Sequence, residues 1–240
     1  MGTDSLGTDA LGTGPATGRR GTVLLVNPNT NAKTTEMMTE LATAELTPQG
    51  LDVVGLTAAA GPAMIIDPGS LAESAAHVRT AVLDYLAGQT GGDVVAVIVA
   101  AIGDPGREQL SKELAIPVVG IGQASIHAAS RSNRSFGMAT STPLLAGSLA
   151  KLVATHGKSE WFAGVRLTPS EPLVLAADPE QQYQELAAAV RESSETDGAG
   201  AVIIAGGPLS ATARRLAESS RAEIIQPVPS ACGLVLEILG

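Results

Sequence analysis

One Trp, two Tyr and two Phe are all the aromatic side chains in this 240-residue chain, although 45% of its residues are hydrophobic. The core must therefore come from Val, Ile, Leu and Ala, the composition of buried parallel strands covered by Ala-rich helices. A large pocket that grips its ligand by aryl stacking is excluded. Cysteine is as scarce. Cys232 stands alone, which excludes an internal disulfide and fits a reduced, cytoplasmic setting. Cations are few: 15 Lys and Arg against 24 Asp and Glu give a net charge of −9 with no basic run, which excludes a nucleic-acid surface. No apolar run is long enough to span a membrane, and no apolar segment precedes Arg19-Arg20 as a signal peptide would require. The strand–helix turns hold neither G-x-G-x-x-G nor a P-loop. No His, Cys, Asp or Glu spacing matches a zinc or calcium site. Neither cofactor nor metal is expected.

What is present is a strand ending used twice. Val97-Ile98-Val99-Ala100-Ala101-Ile102-Gly103-Asp104-Pro105 and Val202-Ile203-Ile204-Ala205-Gly206-Gly207-Pro208 are apolar runs that stop at glycine and proline. Each precedes a segment that can be helical, as matching halves of one architecture would have. Residues 1–20 repeat a Gly-Thr-Asp phrase that buries little and reads as a disordered tail. Beyond it, strands at Thr22–Val26, Leu51–Leu56, Val94–Ala100 and Pro117–Ile121 alternate with helices at about Asn31–Leu46 and Leu71–Leu86, from Pro105 and from Gln123. A second series starts at Ser135–Thr140, with a helix from Thr142-Pro143. Its next strand lies in Trp161–Leu167 or Pro172–Leu175. Asp178-Pro179-Glu180-Gln181 opens a helix with Asp as N-cap, Pro at the first position and Gln at the third. Strands at Ala201–Ala205 and Glu223–Ile225 and a helix at about Ser230–Leu239 close the chain. Alternation of this kind predicts α/β architecture: two pseudo-symmetric lobes, each a mainly parallel sheet flanked by helices. Residues 21–123 plus 227–240 form the first lobe and 124–226 the second.

Parallel sheets bind ligands beyond the carboxyl ends of their strands. Those ends carry Asn27, Asn29 and Thr30; Gly103 and Asp104; Thr140, Ser141 and Thr142; and Gly206, Gly207 and Ser210. They are uncharged donors, backbone amides and helix starts, with no Lys or Arg, which suits a small anion or an amide-bearing ring and not a polyphosphate. The ligand site is expected between the lobes. Asn29 or Thr30, Asp104 and Thr142 also read as plain N-caps, with Asp104-Pro105 and Thr142-Pro143 ideal for it. Cap and ligand contact are compatible roles. His127 can face the inter-lobe region or lie on an ordinary helix surface. His77 and His156 read as helix-surface residues, and Cys232 as a buried structural thiol.

Val26-Asn27-Pro28-Asn29-Thr30, Gly61-Pro62-Ala63, Gly103-Asp104-Pro105-Gly106, Pro117-Val118-Val119-Gly120-Ile121-Gly122, Ala139-Thr140-Ser141-Thr142-Pro143 and His156-Gly157 together resemble the aspartate/glutamate/hydantoin racemase superfamily, and within it the hydantoin and allantoin racemase branch. The resemblance runs from about Thr22 to the C-terminus. It implies two lobes holding a substrate between them, and two cysteines on opposite faces of the substrate carbon. One thiolate removes the proton and the other thiol returns one. Polar side chains and backbone amides stabilise the enolate-like intermediate. At the positions matching those cysteines this chain has Ala101 and Gly206, and Gln123 stands where the branch often carries Glu.

Three expectations follow. A small-molecule enzyme with changed chemistry (lyase, decarboxylase, hydrolase or one-base isomerase) would hold a small carboxylate, hydantoin or ureide on Asn27, Asn29, Thr30, Gly103, Thr140, Ser141, Thr142 and Gly207. Asp104, His127 or Ser210 would move any proton. A racemase with other acid–base groups is the second. A catalytically silent metabolite-binding or regulatory protein is the third. A homo-oligomer stays open. If Asp104 is a buried base, desolvation should raise its pKa; if it is only a cap, the helix terminus should lower it.

Overall fold

The structure, a computed structural model, describes residues 19–88 and 93–240. Almost all of the tail expected at 1–20 lies outside the described residues. Sheet A is all parallel, in the order β2 (Leu51–Thr57), β1 (Gly21–Asn27), β3 (Val94–Val99), β4 (Val118–Gly120). Sheet B repeats that order with β6 (Phe162–Leu167), β5 (Phe136–Thr140), β7 (Ala201–Ile204) and β8 (Glu223–Ile225), again all parallel. The central strands β1, β5 and β7 are buried along their whole length, as continuous apolar runs must be when helices cover both faces.

On sheet A, α1 (Ala32–Leu46) and α9 (Pro227–Leu239) cover one face, with Met38, Leu46, Ala231 and Val235 packed on Val23, Leu25 and Ile98. The other face is covered by α2 (Pro68–Gly88) and α3 (Arg107–Glu113), through Val78, Val82 and Leu110. On sheet B, α5 (Ala146–Thr155) supplies Leu149 and Val153 beneath Phe136 and Met138. The opposite face takes Leu186 and Val190 of α7 (Pro179–Arg191) and Ala213 and Leu216 of α8 (Ser210–Ser219). Both phenylalanines pack here, Phe136 against Phe162 with ring centroids 5.5 Å apart. Such a pair contributes about 1 kcal/mol beyond its area burial.

One helix belongs to both cores. In α4 (Ile121–Ala129), Ile121 and Ala124 pack into the core of sheet A, whereas Ile126 and Ala129 pack into that of sheet B. The segment Pro172–Leu175, one of two candidates for a strand, lies in a short helix, α6 (Pro172–Ala177), and Trp161–Leu167 supplies β6 instead. Proline at the first helical position decides it: its fixed φ suits a helix start and its missing N–H a strand poorly. The helix expected from Thr142-Pro143 starts as a 3-10 turn, Pro143–Leu145, before α5. Among the described residues, no helix is long and apolar enough to cross a membrane, and no three His, Cys, Asp or Glu are grouped to hold a metal ion.

Candidate functional site

The carboxyl ends of both sheets border one cavity of about 290 Å³. Gly207, just past β7, makes this approach feasible: a Cβ there would lie 3.0 Å from Met38 Sδ of α1 and 3.1 Å from the Ala100 carbonyl oxygen past β3. The polar lining comes from Asn29, Asn31 and Thr34 at the start of α1, from Thr140, Ser141 and Thr142 after β5, and from Gln182 of α7 with Thr212 of α8. Met64, Ile65 and Leu71 form one apolar wall, and Pro172, Leu175 and Ala176 of α6 another. Ala101, Gly103 and Gly206 also line it. Among the described residues that line it there is no Asp, Glu, His, Lys, Arg, Cys or Tyr.

Sheet A delivers its polar groups through an asparagine network. The Asn27 amide donates to Asn29 Oδ1 (2.9 Å), Thr35 Oγ1 (3.0 Å) and the Asn31 carbonyl (3.2 Å), and its Oδ1 accepts from the Asn29 N–H (3.2 Å). Asn27 therefore holds its neighbours and does not itself line the cavity. Asn29 Oδ1 also accepts from the Asn31 N–H at 2.9 Å, which fixes the flip of its carboxamide. Its Nδ2 makes no hydrogen bond within the described residues. The N-cap of α1 is Asn31, accepting from the Thr34 N–H, and neither Asn29 nor Thr30 takes that role. Thr30 lies off the cavity, its N–H donating to the Pro62 carbonyl at 3.1 Å.

On sheet B, Thr140 Oγ1 donates to the Ala205 carbonyl at 2.7 Å and lies 3.0 Å from Thr142 Oγ1. Thr142 makes no side-chain cap, contrary to the Thr142-Pro143 reading. The Ser141 hydroxyl has no partner among the described residues. Ser210 is buried, and its hydroxyl donates to the Gly207 carbonyl at 2.8 Å, inside the turn and off the cavity. The first turn of α8 thus carries no side-chain cap, and its Ala211 and Thr212 line the cavity.

Asp104 departs most from expectation. It is not the N-cap of α3, a place held by Gly106. Its two oxygens instead accept from the N–H groups of Gly122 (2.8 Å) and Gln123 (2.6 Å), in the first turn of α4. Both expected influences act at once. Burial pushes its carboxyl up to about 7, while the two N–H groups and the charge of Arg107 pull down and lose. Asp104 does not line the cavity. Nor does His127, whose side chain is 52% exposed and lies 3.6 Å from Glu237 of α9. Of the sequence candidates, the cavity gathers Asn29, Gly103, Thr140, Ser141, Thr142, Gly207 and the two positions Ala101 and Gly206. Cys232 is buried among the side chains of the sheet A core, where burial pushes its thiol up to about 12.

The sequence reading missed Thr34, Gln182, Thr212 and the apolar walls. Thr34 sits in the first turn of a helix whose start was legible, and Thr212 in that of α8, for which only a segment that can be helical was legible. Gln182 carries no signal beyond its place four residues after the Asp178 cap. Its carboxamide oxygen accepts from Thr212 Oγ1 at 2.5 Å, tying α7 to α8 at the cavity wall.

A family model described as Asp/Glu/hydantoin racemase matches residues 23–235. Among curated relatives, a hydantoin racemase of Paenarthrobacter aurescens is 25% identical over 210 residues, covering 88% of this chain and 87% of that one. A hydantoin racemase of Rhizobium meliloti is 26% identical over 216 residues, covering 90% and 88%. Among solved structures, the allantoin racemase of Pseudomonas fluorescens superposes with a TM-score of 0.81 at 24% identity, covering 91% of this chain and 90% of that one.

Proposed function

Because this chain belongs to the Asp/Glu/hydantoin racemase family, we propose that its cavity takes a small carboxylate, hydantoin or ureide, and that the chain acts on it without a pair of thiols. The observation that carries this reading is a cavity lined, among the described residues, by neutral polar groups and apolar walls with no acidic, basic or thiol side chain. A two-thiol proton transfer has no groups to use there, since the single cysteine of the chain is in the core. On the resemblance of the strand ends, Ala101 and Gly206 are the residues that match the family's thiols, and both line the cavity.

Oxyanion stabilisation is the chemistry such a lining retains. Asn29 Nδ2, the Ser141 hydroxyl and the first turns of α1 and α8 offer donors and positive dipole ends to a carboxylate or a developing enolate. The reaction that fits is a lyase- or decarboxylase-type cleavage. Loss of carbon dioxide leaves the electron pair on a carbon whose enolate these donors stabilise, and water returns the single proton needed. Asp104, His127 and Ser210 stay outside this scheme because none of them lines the cavity. A second reading, binding without turnover, is favoured by the same lack of an acid or base in the lining.

Proton NMR in D₂O separates the readings. The purified protein is incubated with single enantiomers of allantoin, 5-substituted hydantoins, aspartate and glutamate, and with malonate-type diacids. New products without α-proton exchange support the proposal. Exchange of the α-proton overturns it in favour of racemisation by another base. No turnover, with saturable binding by ligand-detected NMR, supports the silent binder.

A further inference from the structure

The segment after β3 reaches in three directions. Ala101 and Gly103 line the cavity. Ile102 also lines it and packs into the core of sheet B, in the cluster of Ile126 and Leu149. Asp104 then places both carboxyl oxygens on the N–H groups of Gly122 and Gln123 of α4, the helix that packs into both cores. It does so with φ of +50, a left-handed conformation that non-glycine residues seldom adopt. The partner segment is shaped to receive it. A Cβ at Gly120 would lie 2.1 Å from Asp104 Cγ, and one at Gly122 would lie 2.1 Å from the Ile102 carbonyl oxygen. Two glycines and one aspartate with positive φ thus converge on a contact that lies off the cavity and spans 18 and 19 residues of sequence.

We propose that Asp104 is a positioning residue: its carboxylate fastens the cavity floor, Ala101–Gly103, to the first turn of α4, and the floor keeps its ligand-binding form only while that fastening holds. A carboxylate does this better than any neutral group. It accepts at both oxygens, whereas the isosteric amide of asparagine sets a donor against one of the two N–H groups. The cation whose charge reaches Asp104 is Arg107 of α3, and His156, after α5, feels the same guanidinium. On α2, the side chain of Leu71 faces Gly103 and the backbone of Ala75 faces Gly106, both uncharged. On α4, His127 is turned outward to Glu237.

The test compares wild-type protein with Asp104→Asn by ¹H–¹⁵N NMR from pH 5 to 9, and measures the affinity of both for hydantoin and for allantoin. The affinity arm rests on the ligand class proposed above. In Asp104→Asn the amide signals of Ala101, Ile102 and Gly103 should move together with those of Gly122 and Gln123. Affinity for whichever probe the wild type binds should fall about ten-fold, the loss of roughly one charge-assisted hydrogen bond. Wild-type affinity should rise with pH as the carboxyl ionises, and that of the variant should stay flat. Signal changes confined to Gly122 and Gln123, or an unchanged affinity, overturn the proposal. If neither probe binds the wild type, the hydantoin and ureide part of that reading fails and the amide signals alone decide. If Asp104→Asn does not fold, the wild-type titration decides: Ala101–Gly103 must report the same midpoint as Gly122 and Gln123.

Discussion

At the carboxyl edge of sheet A the polar side chains form one network, whereas at that of sheet B they bond in separate short contacts and the Ser141 hydroxyl is left over. Asn27 connects to Asn29, Asn31 and Thr35, and Asp104 is used up on the start of α4. Across the cavity, Thr140 holds the Ala205 carbonyl, the Thr142 hydroxyl meets only that of Thr140, and the Ser141 hydroxyl has no partner among the described residues. Identical strand orders therefore end in unlike chemistry. Sheet A supplies a fixed floor with Asn29 Nδ2 as its free side-chain donor, and sheet B supplies the Ser141 hydroxyl.

That contrast is easiest to break at glycine. Gly122→Ala would put a Cβ 2.1 Å from the Ile102 carbonyl, a backbone atom with little room to yield. It should destabilise the protein by about 3 kcal/mol in urea unfolding. Gly206→Ala has extended backbone and meets only the Leu209 side chain, at 3.1 Å. Its cost should stay below about 1 kcal/mol. Equal costs would mean that the two edges are equally tight. Next come the networks themselves. Asn27→Ala strands several buried partners and should cost about 2 kcal/mol, against about 1 kcal/mol for Thr140→Val, which loses the bond to Ala205.

Asp104 adds a slope. Unfolded, its carboxyl ionises near 3.8; folded, it holds its proton to about 7. Its contribution to stability is therefore fullest below pH 3.8 and declines as pH rises to about 7, with no further change above. The stability difference between wild type and Asp104→Asn should fall by about 1 kcal/mol per pH unit inside that window. A flat difference would contradict the burial of this charge. Smallest of all is the effect of a thiol reagent. Cys232 is 1% exposed and its pKa is pushed up to about 12, so an alkylating agent at neutral pH should label it only after unfolding.

The elements were legible because their signals are local. Apolar runs of strand length end at Asn27-Pro28, Gly103-Asp104 and Gly206-Gly207, and Asp178-Pro179 marks a helix start whose cap accepts from the Glu180 and Gln181 N–H groups. Contacts made across the fold were not legible. An aspartate before a proline looks like the cap of the helix that follows, and nothing nearby in sequence shows that Gly122 and Gln123 will be its partners. His127 illustrates the same limit: its place on α4 was readable, but the packing of α9 beside it, which turns it to Glu237, was not. The walls built by α6 escaped because four apolar residues, Pro172–Leu175, fit a strand as well as a helix until proline is weighed.

The most direct measurement is made on the double variant Ala101→Cys with Gly206→Cys, both positions lining the cavity. It would be incubated in D₂O with single enantiomers of allantoin and 5-substituted hydantoins, and α-proton loss followed by NMR. Exchange and racemisation gained by the double variant, and absent from the wild type, are the expected result: the family's geometry is intact and only its thiols are missing. A double variant that folds and binds these molecules, yet exchanges no proton, would contradict the proposal that Ala101 and Gly206 hold the places of the family's two thiols.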